Sequence, residues 1–79
     1  MVTVYAILSE VNGSIYVGMA QDADLRLKQH NAGKTKSTKN GRPWKTIYRE
    51  VQPDWASARV REKYLKSGIG KEFLKSLVL

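Results

Sequence analysis

Two β-rich runs close around Asn12-Gly13, and no other feature of this 79-residue chain restricts its folding as tightly. Val4-Tyr5-Ala6-Ile7 precedes the dipeptide and Tyr16-Val17-Gly18 follows it. A type I′ turn needs φ > 0 at both central residues, which Asn-Gly accepts readily, so the pattern predicts a β-hairpin. A two-residue turn pairs Val11 with Ser14, Ser9 with Tyr16 and Ile7 with Gly18. One face then carries Val4, Ala6, Leu8, Ile15 and Val17, all apolar. The other carries Thr3, Tyr5, Ile7, Ser9, Tyr16 and the bare Gly18. The apolar face reads as core. The mixed face reads as the working face, with Gly18 leaving a gap where a ligand can approach. In this register the tyrosines lie four positions apart, roughly 13 Å at ~3.3 Å per residue. A three-residue turn would put them on opposite faces.

The rest of the chain follows from local signals. Strands are expected at 2–8 and 14–19. Asp22 caps a helix that starts at Ala23 and ends by Gly33. Residues 34–43 read as a polar basic loop. Trp44 to Val51 reads as a third strand, with Trp44, Thr46 and Tyr48 alternating against Lys45, Ile47 and Arg49. Pro53-Asp54 breaks it, and Asp54 caps a second helix running to about Lys66. Gly68 and Gly70 interrupt, and a short last helix carries Phe73, Leu74 and Leu77 into the core. The order ββαβαα predicts an α+β fold, a small three-stranded antiparallel sheet flanked by helices. Its length gives residues 1–79 room for a single domain.

Apolar content of 42% is that of a globular chain. There is no cysteine, and the lone histidine rules out a multi-histidine zinc site within one chain. No apolar run approaches the ~20 residues that span a bilayer, and no export signal is visible, so a cytoplasmic location without membrane partners is expected. The net charge is +7. No acid lies between Asp24 and Glu50, whereas Arg26, Lys28, Lys34, Lys36, Lys39, Arg42, Lys45 and Arg49 do. A second basic cluster holds Arg59, Arg61, Lys63 and Lys66. Such stretches on an ordered domain suit a polyphosphate, because each neutralised phosphate releases condensed counterions. A basic surface with no partner is the plainer alternative.

Arg26 and His30 are spaced i, i+4 on the first helix, beside Ala23 and Leu27. Arg26 is either a surface arginine with its stem on the sheet or a planar fork aimed at a phosphate. His30 lies near the helix C-terminus, where the dipole favours an imidazolium. Glu62 falls in the stripe of the second helix that faces the sheet, where a carboxylate is costly unless paired or metal-bound. A salt bridge to Arg59, Arg61 or Lys66 is its structural explanation. Asp22 and Asp54 are caps. Trp44, beside Pro43 on a strand, fits the core better than a stacking platform.

Together these motifs resemble the GIY-YIG nuclease domain: Tyr5 in Val-Tyr-Ala-Ile, Tyr16-Val-Gly18, Arg26 with His30, then Glu62. Lys36-Ser37-Thr38-Lys39, Arg42-Pro43-Trp44 and the stretch from Arg61 to Gly68 resemble the small stand-alone bacterial members. The resemblance implies the same three-stranded fold and divalent-metal-dependent phosphodiester hydrolysis, with Mg²⁺ or Mn²⁺ as the ion. It assigns catalytic roles to Tyr5, Tyr16, Arg26, His30 and Glu62, with Glu62 as the metal ligand. One carboxylate, waters and a phosphate oxygen suit Mg²⁺. Tyr16 is the first choice of general base, with Tyr5 or His30 sharing or replacing it. Lys34, Lys36, Lys39, Arg42 and Lys45 are the expected nucleic-acid contacts. Many family members carry an asparagine after the metal glutamate, whereas the last asparagine here is Asn40. The chain also has no room for a separate DNA-binding domain, which leaves sequence specificity to a protein partner. An endonuclease acting on DNA with little sequence preference is therefore expected. The alternatives are a non-catalytic nucleic-acid-binding module on the same fold and a structural subunit.

Overall fold

The computed structural model describes residues 1–78 and contains the expected elements in the expected order. They are β1 (Val2–Ser9), β2 (Ile15–Ala20), α1 (Ala23–Asn31), a 3₁₀ helix (Lys36–Gly41), β3 (Trp44–Gln52), α2 (Trp55–Lys66) and α3 (Gly68–Ser76). The three strands form one antiparallel sheet in the order β2-β1-β3. No helix among the described residues is long and apolar enough to cross a membrane.

The face assignment holds, but the hairpin register differs by two residues. Tyr5 pairs with Gly18 and Ile7 with Tyr16. Of the two turn residues only Gly13 takes positive φ (+77°), so Asn12 does not complete a type I′ turn. A four-residue loop, 10–13, forms instead, because the buried Ser9 organises it. The Ser9 Oγ accepts from the amides of Val11 and Asn12 (both 3.2 Å), and the Gly13 amide donates to the Ser9 carbonyl (3.0 Å). A shift of two keeps every side chain on its face. It also brings Tyr16 within two positions of Tyr5's partner, roughly 7 Å along the strand.

Both faces are covered. On one, Val4, Ala6 and Val17 pack against Ala58 and Leu65 of α2 and Leu74 of α3. On the other, Tyr5, Ile7 and Trp44 pack against Ala23 and Leu27 of α1. Full burial of side chains such as Ile7, Leu65 and Leu74 stabilises the fold by about 1.5–3 kcal/mol each. Trp44 is core, as its position implied, and its indole N–H donates to the Thr38 carbonyl (2.8 Å). The polar stretch 34–43 is less irregular than expected, since it winds into the 3₁₀ helix.

Three further departures have identifiable causes. A bulge between Ala6 and Ile7 of β1 skips Ile47 on β3, so the alternation of β3 changes sides midway. Trp44 and Thr46 stay on the α1 face, but Tyr48 moves to the α2–α3 face and Arg49 lands beside Tyr5. The last helix buries Leu74 but leaves Phe73 and Leu77 half exposed. Gly68 and Gly70 lie inside α3 rather than breaking it: Ser67 caps it, and a Cβ on Gly70 would strike the α2 backbone at Tyr64 and Leu65.

Candidate active site

Tyr5 is the centre of the working face. It is buried in the middle strand, and its ring turns toward β2 over Gly18. The glycine gap therefore accommodates the phenol itself, not a ligand. The Tyr5 hydroxyl lies 2.9 Å from Nε2 of His30. His30 has no exposed surface, and its Nδ1 lies 2.8 Å from Oγ1 of Thr38.

The direction of this chain follows from its end. The Thr38 hydroxyl donates to the Thr35 carbonyl (3.3 Å), so its oxygen accepts from His30 Nδ1–H. Nε2 is then the acceptor, and Tyr5 donates its proton to it. Burial, reinforced by the nearby Arg26 charge, lowers the His30 pKa below its ordinary 6.5. Desolvation thus outweighs the helix dipole, and the imidazole is neutral where an imidazolium was expected. Thr38 fixes the tautomer, yet nothing in the sequence marks it: it is one threonine in a polar run, placed by the 3₁₀ turn.

The other residues converge to different degrees. Tyr16 is half-buried and stands edge-on to the His30 ring, with centroids 5.1 Å apart. Burial raises the Tyr5 pKa, and the Tyr16 and Glu62 charges push the same way. The positive charge of Arg26 acts against them. Arg26 Nη1 donates to Gln29 Oε1 (2.9 Å).

Glu62 is half-buried, with a side chain 17% exposed. Its ion-pair partners are Lys66 (3.4 Å) and Arg59 (3.8 Å), both on its own helix and both largely exposed. Arg61 is engaged elsewhere: it holds Glu50 through two bonds of 2.7 and 2.9 Å. Glu62 therefore keeps a carboxylate that is mostly buried and only loosely paired.

The basic loop is less concentrated on this site. Lys39 and Arg42 line a shallow depression of about 480 Å³ with Asn31 and Pro43, and Arg42 Nε donates to the Lys39 carbonyl (2.8 Å). Lys34 and Lys36 are exposed. Lys45 pairs with Leu8, on the sheet face opposite Tyr5. Arg49, which was no more than one basic residue among eight in the sequence, is the cross-strand neighbour of Tyr5 and is ion-paired to Asp24 of α1. Only the bulge reveals it.

No three His, Cys, Asp or Glu side chains cluster as a metal cage among the described residues. The donor set here is a single carboxylate, Glu62, whose ion pairs are long and reach exposed partners on its own helix. That set fits Mg²⁺, which keeps most of its waters and takes one or two carboxylates plus substrate phosphate oxygens.

A family model for the GIY-YIG catalytic domain matches residues 1–73. Two similar proteins are UPF0213 proteins. One, from Staphylococcus epidermidis, is 36% identical over 67 residues, covering 84% of this chain and 82% of its own length. Another, from Staphylococcus aureus, is 37% identical over 57 residues, covering 71% of this chain and 70% of its own length. No solved structure matches. A family of nuclease type, whose substrate is nucleic acid, is thus indicated by a match over nearly all the chain. The three-stranded sheet, the two tyrosines on one of its faces and the long extent of that match agree, and the chain belongs to the GIY-YIG catalytic domain family.

Proposed function

We propose that the protein is a divalent-metal-dependent endonuclease that hydrolyses phosphodiester bonds, of DNA in the first instance, with little sequence preference. One observation carries this: the buried Tyr5 hydroxyl meets the buried His30 imidazole, with Tyr16 edge-on to the same ring and the charges of Arg26 and Glu62 both bearing on the Tyr5 phenol. A core tyrosine needs one hydrogen-bond partner, not three charged or titratable neighbours.

Each side chain has a task that its setting supports. Glu62 would hold the metal, which polarises the phosphoryl group when bound. Arg26 opposes charge growing on the non-bridging phosphate oxygens. Tyr5 donates to His30, so its oxygen lone pairs are free to take a proton from the attacking water. The raised pKa of Tyr5 and the lowered pKa of His30 both disfavour a standing phenolate–imidazolium pair. Transfer is therefore concerted, with Tyr5 giving its proton to Nε2 as it receives one from water. That relay favours Tyr5 over Tyr16 as the acceptor. Tyr16 then borders the substrate.

The test is nicking of plasmid and labelled oligonucleotides with Mg²⁺, with Mn²⁺ and with chelator. Wild type is expected to cut only with metal, and Glu62→Ala and Arg26→Ala are expected not to cut. Absence of cleavage with either ion, or undiminished cleavage by Glu62→Ala, rejects the proposal and leaves a binding module.

A further inference from the structure

The sheet order makes β2 an edge strand, and beside it runs a groove of about 670 Å³. Its two walls differ in chemistry. One is the strand itself, with Ile15, Tyr16 and Val17. The other is helical and basic, with Lys66 at the end of α2 and Lys71 and Lys75 on α3. Lys71 and Lys75 are spaced i, i+4, about 6 Å along the helix axis, comparable to the separation of neighbouring phosphates on an extended strand. Lys75 has only a 4.0 Å approach from Glu72, and both side chains of that pair are well exposed, so its charge is available.

The groove reaches the candidate active site from both walls. Tyr16 is shared: it lines the groove and stands against His30. Lys66 lines the groove and is paired to Glu62. A chain of phosphates seated on the lysine wall therefore arrives at the residues that act on Tyr5.

We infer that this groove is the track of an unpaired nucleic-acid strand, with phosphates on Lys66, Lys71 and Lys75 and bases against Ile15 and Tyr16. The assignment deepens the nuclease function proposed above and names its substrate as single-stranded or flapped. The asymmetry of the walls decides against a duplex. Paired bases are hidden from an apolar wall, and a duplex offers phosphates on both flanks. A single strand exposes a π-face to one wall and its charge to the other. The expected basic loop is not needed for this path, because Lys39 and Arg42 line a different depression.

The experiment is equilibrium binding by fluorescence anisotropy without metal, using labelled oligothymidylate, the same oligonucleotide in duplex form, and polyglutamate as competitor. The variants are Lys71→Glu/Lys75→Glu, Lys71→Arg/Lys75→Arg and Lys36→Glu/Lys39→Glu. All four positions are exposed, and helix content by circular dichroism checks folding. The single strand is expected to bind more tightly than the duplex. The α3 Glu variant should lose about tenfold or more in affinity and about 1.4 in salt slope, two phosphates at ~0.7 each. The Arg variant should bind as wild type, and the loop variant should lose much less. Duplex binding that equals or exceeds single-strand binding overturns the inference. So does an α3 Glu variant that keeps wild-type affinity, or polyglutamate that displaces the strand at equal charge. Failure of the nuclease proposal is read separately, as strand binding that depends on Lys71 and Lys75 without cleavage.

Discussion

Tyr5 lies directly across β1 and β2 from Gly18, and its ring occupies the space a side chain at position 18 would need. A Cβ there would sit 2.5 Å from the phenol oxygen and 2.7 Å from Cζ. The phenol cannot yield easily, because it is buried and tied to His30. Gly18→Ala should therefore destabilise the fold by about 1–3 kcal/mol, measured by denaturant unfolding. It should lower cleavage about 10²-fold, as an ångström-scale displacement of a reacting group does.

Removing the hydroxyl separates structure from chemistry. Tyr5→Phe leaves the buried Nε2 of His30 without its donor, at a cost of about 1–3 kcal/mol. Cleavage should fall by roughly 10²–10⁴, the range for a lost general base, while strand binding is retained. The comparison with Tyr16→Phe is decisive for the assignment. A larger loss of turnover in Tyr16→Phe would transfer the base role to that residue.

The His30 pKa is lowered by burial and by Arg26, so the pH dependence has a definite sign. An unfolded chain protonates this imidazole near 6.5, and the folded one only at lower pH. Below 6.5 the unfolded state binds more protons, so stability declines as pH falls through that window. The acid limb of the cleavage profile should likewise lie below pH 6.5, since His30 must be neutral to accept. His30→Gln should remove this limb from the stability curve.

Glu50 sets a second acid transition. The Arg61 guanidinium is the main cause that holds its pKa at about 2, aided by hydrogen bonds from Tyr48 and Gln52. This depressed carboxyl contributes stability that is full above its ordinary 4.5 and is lost as pH drops toward about 2. Arg61 is 36% exposed, so solvent screening reduces the contribution. Glu50→Gln should cost about 1–2 kcal/mol at neutral pH and much less near pH 2, read as the difference in urea midpoint between the two pH values.

Glu62→Gln is expected to abolish metal-dependent cleavage while changing stability by less than about 1 kcal/mol, because its ion pairs are long and reach exposed partners. Thermal unfolding and cleavage assays on the same preparation check both halves. A large stability loss with residual cleavage would mark Glu62 as structural.

The fold was legible because three independent signals agreed. Asn12-Gly13 located a hairpin, Asp22 and Asp54 marked two helix starts, and apolar alternation on β1 set the faces. Each is local, and none was overridden by packing. The details that escaped were non-local. Ser9 lengthened the turn through contacts that a dipeptide rule does not contain. The β3 bulge reassigned Tyr48 and Arg49, since a single skipped residue inverts a period-2 pattern from that point on. Of the candidate site, Tyr5, Tyr16, Arg26 and His30 were visible as motif positions and are grouped in the fold, with Glu62 within electrostatic reach. Thr38 was not visible, because its role is defined only by the imidazole it touches.

The burial of His30 carries a consequence for turnover. Its ring touches no solvent, Thr38 plugs one nitrogen, and Tyr5 stands before the other. In the proposed relay, a proton lodged on that ring would leave only by the way it came. In that relay the pocket would act as a closed reservoir that must refill and empty within each cycle, and added buffer is expected to leave the rate of cleavage unchanged.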